Sequence, residues 1–178
     1  VGKAWVSYLG LSATVVADGS NGSSYAQEIT GTDTEGDYYA GGEYLGIGEP
    51  IEDSSLVYVT LDVRNTGGTA AQLKLGIQDD DAGSTTYSAG VDDSFATTID
   101  LDSSTYAIDA WSRYCTALAD FSETGTDSTG GNGILDLGSA AGAGGLIGLT
   151  LDVSAANPYD TVTLEVDRIT LSSSCGTT

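Results

Sequence analysis

The sequence predicts an all-β domain, either a β-sandwich or a single jelly roll of about 8–10 strands. Apolar and polar residues alternate with a period of two in the clearest segments, as expected for strands with one buried face. Gly accounts for 25 of the 178 residues, and no window keeps the 3.6-residue period of a capped helix. A chain of this length with one pattern throughout indicates a single domain over 1–178.

The strongest strand pattern covers residues 57–63 and 71–77, which have the same alternation. Residues 65–68, Asn-Thr-Gly-Gly, supply turn chemistry between them. We therefore expect the two segments to pair as a β-hairpin with one buried face.

Further strands are expected over 147–153 and 162–166. After 166 the apolar phase shifts to Ile169 and Leu171, which predicts a β-bulge near Asp167 and Arg168. Weaker strand patterns lie near 4–17, 25–30, 38–47, 94–101 and 111–121, and a short helical turn is expected around 116–121. Residues 18–25 and 123–145 are expected to form loops. The second loop contains apolar residues, which we expect to pack on the domain.

Charge excludes several classes of function. The chain has 26 Asp and Glu against 5 Lys and Arg, a net charge of −21, and no His. Such a chain repels nucleic acid and anionic membranes, and it has no run of apolar residues long enough for membrane insertion. Without His, serine-type triads, Cys–His pairs and zinc sites are disfavoured, so we assign no catalytic residue and expect no enzyme. Asp makes up 19 of the acids, which is typical of proteins from saline environments.

The two cysteines, Cys115 and Cys175, form an even count. In an exported protein this predicts one intrachain disulfide; the alternatives are two free thiols or an interchain bond through Cys175.

A start at Val1 without Met is expected from trimming of the initiator or removal of a leader. Asn21, followed by Gly and Ser, is a candidate N-glycosylation site.

Two kinds of cluster are candidate ligand sites. Carboxylates of the acidic runs 79–81 and 92–93 are hard oxygen donors suited to calcium, with ordinary surface charge as the alternative. The residues concerned are Asp79, Asp80, Asp81, Asp92 and Asp93.

Aromatic residues also cluster, and exposed rings stack on sugars, although Tyr and Trp equally favour half-buried strand positions. These aromatics form two groups, one of Tyr38, Tyr39 and Tyr44 and the other of Trp111 and Tyr114.

The N-terminal run 4–16 is apolar and prone to form a strand about 13 residues long, which is unusual for a globular domain. It is either the first strand of its own sheet or a strand donated to a neighbouring copy of the chain. Donation would join copies head-to-tail. The residues expected at that joint are Trp5, Val6, Tyr8, Leu9, Leu11 and Val15.

Residues 38–45 read YYAGGEYL, and after a spacer 57–77 read VYVTLDVRNTGGTAAQLKLGI. This order resembles the TasA/camelysin family of secreted matrix-fibre proteins, although the cysteines and the scarcity of Lys depart from it. The resemblance implies β-sandwich subunits joined by donated N-terminal strands.

The sequence therefore predicts a structural, non-catalytic subunit of an extracellular, pilus- or fibre-like filament made of copies of itself. One alternative is a jelly-roll capsid protein of a halophilic archaeal virus, located in the virion. Another is a calcium- or carbohydrate-binding module at the cell surface.

Overall fold

The structure, a computed structural model, describes residues 4–67, 69–81, 83, 86–101, 107–124, 131, 133–135, 137 and 145–176. In these residues the chain forms eleven strands and two single-turn 3-10 helices, and no α-helix. The strands are β1 Val6–Tyr8, β2 Ser12–Ala17, β3 Tyr25–Thr32, β4 Tyr39–Ile51, β5 Tyr58–Asn65, β6 Ala70–Asp79, β7 Ser94–Asp100, β8 Ser112–Ala117, β9 Ser122–Glu123, β10 Leu146–Ala155 and β11 Thr161–Ser172. The 3-10 helices are Ser20–Gly22 and Leu118–Asp120.

The strands form two antiparallel sheets packed face to face, which confirms the predicted all-β sandwich. Sheet A has six strands in the order β1-β4-β10-β6-β7-β9, and sheet B has five in the order β2-β3-β11-β5-β8. Their inner faces enclose one apolar core. Among the described residues, no helix is long and apolar enough to cross a membrane.

Strand β11 confirms the predicted bulge. Its pairing with β5 shifts register between Asp167 and Thr170, and Arg168 has a φ of 52°. Strands β3, β4, β7, β8 and β10 occupy the segments expected for them, and the expected helical turn near residue 118 is the second 3-10 helix. In the 123–145 segment, Leu135 and Leu137 pack on the core as predicted, whereas Ile134 is exposed and much of the rest lies outside the described residues.

The predicted hairpin is wrong. Strand β5 pairs with β11 and β8 in sheet B, whereas β6 pairs with β10 and β7 in sheet A. The turn between them is a corner of the sandwich: Asn65 is buried, and its Nδ2 donates to the carbonyls of Ala70 (2.9 Å) and Leu101 (3.3 Å). Because each strand buries one face in the core between the sheets, the two show the alternation that paired strands would also show.

The predicted 13-residue N-terminal strand is also wrong. The segment turns at Leu9 (φ 54°) and Gly10 (φ 85°), so β1 pairs with β4 in sheet A and β2 pairs with β3 in sheet B. Leu11 is buried and Trp5 packs against the core. Both strands thus pair within their own chain, and exchange between copies stays a prediction.

The cysteine prediction is confirmed. Cys115 and Cys175 form a disulfide, with their Cα atoms 5.9 Å apart. The bond ties edge strand β8 to the C-terminal segment after β11.

Candidate functional site

The outer face of sheet A carries the candidate site. Leu73, Leu75 and Ile77 of β6 are buried in the core, so the residues alternating with them point outward. The register places corresponding outward residues on the neighbouring strands. We call this surface the tyrosine face and define it by Tyr8, Tyr39, Gly42, Tyr44, Gln72, Lys74, Gly76, Gln78, Gly148, Thr150 and Asp152.

Asp152 organises the face. The Tyr8 hydroxyl donates to its Oδ1 at 2.6 Å, and the Tyr39 hydroxyl donates to the same oxygen at 2.8 Å. No described residue donates a hydrogen bond to the other oxygen, Oδ2. Side chains from β1, β4 and β10 are thereby locked together, and one carboxylate oxygen stays available to a ligand.

Glycines keep these side chains close to the sheet. A Cβ at Gly42 would collide with the Tyr8 hydroxyl and with Asp152 Oδ1. A Cβ at Gly148 would lie 2.9 Å from Tyr44 Cε2. The rings and the carboxylate therefore occupy space that any other residue would fill, which makes a shallow aromatic platform.

The hydroxyls of the platform are neutral at physiological pH. Burial, and then the hydrogen bond to Asp152, raise the pKa of Tyr8 and of Tyr39 above the ordinary value. Burial also raises the pKa of Tyr44. Each hydroxyl therefore keeps its proton. Tyr8 and Tyr39 donate theirs to Asp152 and retain lone pairs that can accept from a ligand, whereas the Tyr44 hydroxyl can both donate and accept.

Gln78 lies beside this platform with a buried, unsatisfied acceptor. Its Oε1 has no hydrogen-bond partner among the described residues, and a Cβ at Gly148 would overlap it. Unpaired buried polar atoms are rare in native proteins, and functional sites are one place where they persist.

A buried carboxylate supports the face from beneath. Glu43 lies between Gly42 and Tyr44 in β4, points into the sandwich and is fully buried. It accepts hydrogen bonds from Ser7 Oγ (3.0 Å) and Gln27 Nε2 (2.8 Å), so it joins β1 to β4 and sheet A to sheet B. Burial raises the pKa of Glu43 above its usual value.

The two predicted aromatic groups lie in different parts of the structure. Tyr39 and Tyr44 lie on the tyrosine face, and Tyr38 is exposed just before β4. Trp111 instead lies beside sheet B, with the Arg64 guanidinium 4.9 Å from its ring centre. Tyr114 packs against the core.

The residues predicted for assembly are also dispersed. Tyr8 belongs to the tyrosine face and Leu11 to the core, whereas Val6, Leu9 and Val15 are more than half exposed. A role in assembly stays a prediction.

The two predicted acidic runs do come together. The Asp79 amide donates to the Asp93 carbonyl and the Asp81 amide to Asp92 Oδ1, both at 3.0 Å. The carboxylates in turn accept backbone amides, such as Gly145 N on Asp79 Oδ1, so they anchor the surrounding loops. Within the described ranges no group of three or more acidic, His or Cys residues is arranged to hold a metal ion. Calcium binding stays a prediction.

Asn21 is exposed in the first 3-10 helix, with a φ of 45°, and its carbonyl accepts a hydrogen bond from Arg168 Nη1. Its glycosylation stays a prediction.

Sequence reasoning missed Asp152, Gln78, Thr150 and the glycines. Asp152 is 144 residues from Tyr8 in the chain, so no local pattern connects them. A usable signal was present, because Gly at outward positions of otherwise apolar strands marks a close approach. Gly42, Gly46 and Gly148 carry that signal.

Comparison with solved structures finds the same fold elsewhere. The family 11 carbohydrate-binding module from Clostridium thermocellum, in complex with a β-1,3-1,4-mixed-linked tetrasaccharide, is 19% identical with a TM-score of 0.65, over 94% of this chain and 88% of that chain. A family 30 carbohydrate-binding module is 16% identical with a TM-score of 0.57, over 93% and 76%.

An exo-β-agarase is 16% identical with a TM-score of 0.61, over 94% of this chain and 22% of that chain. At such identities the likeness shows the β-sandwich fold alone. No protein-family model and no curated protein matches the sequence.

Proposed function

We propose that this chain is a non-catalytic carbohydrate-binding module that holds a glycan on the tyrosine face. The observation that carries the proposal is the pair of tyrosine hydroxyls fixed on one oxygen of Asp152 above Gly42. The carbohydrate-binding modules that share the fold support it.

The chemistry of the face suits a sugar ring. An aromatic side chain has an apolar body for the C–H face of a sugar and, in Tyr, a polar group for its hydroxyls. Asp152 Oδ2 adds an acceptor that has no partner among the described residues, whereas the unpaired Gln78 Oε1 is buried and does not reach the surface. Because the tyrosines are already held in place, binding costs little additional ordering of side chains.

The face is long enough for several sugar units. The register aligns Tyr8, Gly42, Asp152, Lys74 and Thr98 in one row across five strands. With strands about 4.8 Å apart, this row spans about 19 Å, which favours an oligosaccharide segment over a single sugar. The net charge of −21 favours a neutral glycan over a polyanionic one.

This function was an alternative to the filament subunit that the sequence favoured. The structural neighbours support the carbohydrate-binding alternative better than a filament or a capsid. The resemblance to TasA/camelysin proteins stays a prediction. The disulfide and the fold are compatible with an extracellular location, which we propose.

Affinity electrophoresis against neutral polysaccharides, followed by calorimetry with oligosaccharides of increasing length, tests the proposal. Tyr44→Ala should weaken binding by about 2 kcal/mol, or about 30-fold in Kd, because it removes a ring that is central to the face. Tyr58→Ala is the matched control, since Tyr58 is a half-buried tyrosine on the outer side of sheet B. A wild-type protein that binds no neutral glycan, or equal losses in the two variants, would refute the proposal.

A further inference from the structure

Strand β2 forms a free edge of sheet B. It pairs with β3 on one side over all six of its residues, and no strand of the described part of the chain lies on the other side. An edge strand presents a row of unpaired N–H and C=O groups that can pair with another chain. We infer that β2 is an interface at which two copies of this chain join their five-stranded sheets by antiparallel β2–β2 pairing.

Among the described residues, β2 is the one terminal strand of the two sheets that has more than three residues and no charge. In sheet A, β1 has three residues and β9 has two; beyond them the open part of β4 contains Glu49 and Pro50, and β7 ends in Asp100. At the other edge of sheet B, β8 carries Arg113 and the disulfide from Cys115 to the C-terminal segment. Strand β2 reads SATVVA, without a charge, a proline or a bulge, and these are the devices that usually block edge pairing.

The inner side of β2 also lacks cover. Val15 points toward sheet A by its register with Gln27, yet it is 76% exposed because the short β1 does not extend over it. An open cavity of about 700 Å³ lies between the sheets at this edge. Its apolar lining includes Trp5, Ala13, Val15, Leu45, Leu149 and Ile169. Two-fold pairing of β2 would bring two copies of Val15 together and cover part of this surface.

Charge selects the same edge for contact between copies. Two chains of −21 repel each other wherever their carboxylates meet. None of the 26 acidic residues lies within residues 4–17, so β2 itself contributes no negative charge to such a contact; Asp18 follows it in the chain, and Glu28 of β3 pairs with Thr14. Association through this edge should therefore strengthen with salt, whereas an interface made of ion pairs would weaken.

This interface differs from donation of the N-terminal segment. No strand leaves its own sheet, because β2 keeps its pairing with β3. A two-fold contact is closed and gives a dimer rather than a filament. The inference does not depend on the proposed function, although two tyrosine faces in one dimer would bind a polysaccharide with avidity.

Sedimentation equilibrium over a concentration series, in low salt and in molar sodium chloride, tests the inference. The wild type should form dimers that increase with concentration and salt. Val15→Lys should raise the dimer dissociation constant by about tenfold or more, since it places a charge on the edge. Val91→Lys is the control, because Val91 is an exposed valine before β7 and away from the edge; it should leave dimerisation unchanged.

Hydrogen exchange of the backbone amides provides an independent test of the β2 interface. Amides of residues 12–17 should become more protected as the wild-type concentration rises, and Val15→Lys should abolish that increase at an unchanged melting temperature. A wild type that stays monomeric at the highest concentration and salt would overturn the inference. So would a dimer that persists in Val15→Lys or that shows no concentration-dependent protection of β2.

Discussion

The outer faces of the two sheets differ in how their polar groups are satisfied. On sheet B, Arg113 Nε and Nη2 donate to the two oxygens of Asp62 at 2.7 and 2.9 Å. Arg64 Nε donates to Glu165 at 2.7 Å while its guanidinium lies over Trp111. We call these five residues the arginine face. Its charges satisfy one another.

The tyrosine face is built in the opposite way. The hydroxyls of Tyr8 and Tyr39 both donate to one oxygen of Asp152, and Asp152 Oδ2 and Gln78 Oε1 have no partner among the described residues. On the arginine face the charges are paired with one another, although Trp111 Nε1 is buried without a partner among the described residues. Paired charges stabilise the fold and have little to offer a ligand, whereas a pre-positioned carboxylate with one unpaired oxygen can bind. Changes on or near sheet B should therefore alter stability, and changes on the tyrosine face should alter affinity.

The largest effect that separates the two faces is expected at the disulfide. Cys115→Ser with Cys175→Ser should lower the free energy of unfolding by about 4 kcal/mol, because the bond closes a loop of 60 residues. Glycan affinity should not change at temperatures where the variant is folded, since the bond lies on the sheet B side. Denaturant titration and calorimetry measure the two quantities. An affinity loss in the folded variant would contradict this separation.

Asp62→Ala should have an intermediate effect, lowering the free energy of unfolding by about 2 kcal/mol, because it leaves Arg113 without its bidentate partner. Burial alone would raise the pKa of Asp62, but hydrogen bonds from Arg113 and Ser20 hold it below the ordinary value. This stabilisation is therefore present above a pH of about 3.9, the value of an unfolded Asp, and is lost as pH falls through the folded pKa.

Denaturant titrations of the wild type and Asp62→Ala from pH 7 to pH 2 check both the size and the sign. Asp120→Ala serves as the control, because Asp120 is an exposed carboxylate outside the arginine face. If the difference between wild type and Asp62→Ala grew as pH fell, the ion pair would not be its source.

Asp152→Asn should have the smallest effect. The amide keeps one acceptor oxygen but loses the charge, so Tyr8 and Tyr39 are held less firmly. We expect glycan binding to weaken by about 1 kcal/mol, roughly fivefold in Kd, with a smaller change in unfolding free energy. Glu123→Gln is the control on the same sheet, since Glu123 is an exposed carboxylate on edge strand β9 and makes the same change of charge away from the tyrosine face. An equal loss in both variants would show that net charge, rather than the tyrosine clamp, governs affinity.

The correct predictions concern features that a short stretch of sequence encodes. The bulge in β11 follows from a shift of apolar phase within a few residues, and the segments of β10 and β11 follow from alternation. The disulfide follows from an even count of two cysteines. Each is a local pattern or a choice among few alternatives.

The wrong predictions concern which strands lie side by side. Alternation over β5 and β6 reports one buried face on each strand, and that is equally true of paired strands and of strands facing each other across a core. Whether β5 and β6 pair or lie in different sheets depends on the turn between them. The buried side-chain amide of Asn65 stabilises that turn as a corner of the sandwich rather than as a hairpin. In the same way, the left-handed turn at Leu9 and Gly10 divides what reads as one long strand.

By itself, therefore, the sequence determined an acidic all-β chain, most of its strands, the bulge near Arg168 and the disulfide. Only the tertiary structure decided the sheet order and brought Tyr8, Tyr39 and Asp152 together from three strands. The physical reason is that the two kinds of feature depend on interactions over different distances along the chain. Backbone preferences and side-chain alternation act over a few residues, whereas the position of a strand in a sheet depends on contacts between residues far apart in the chain.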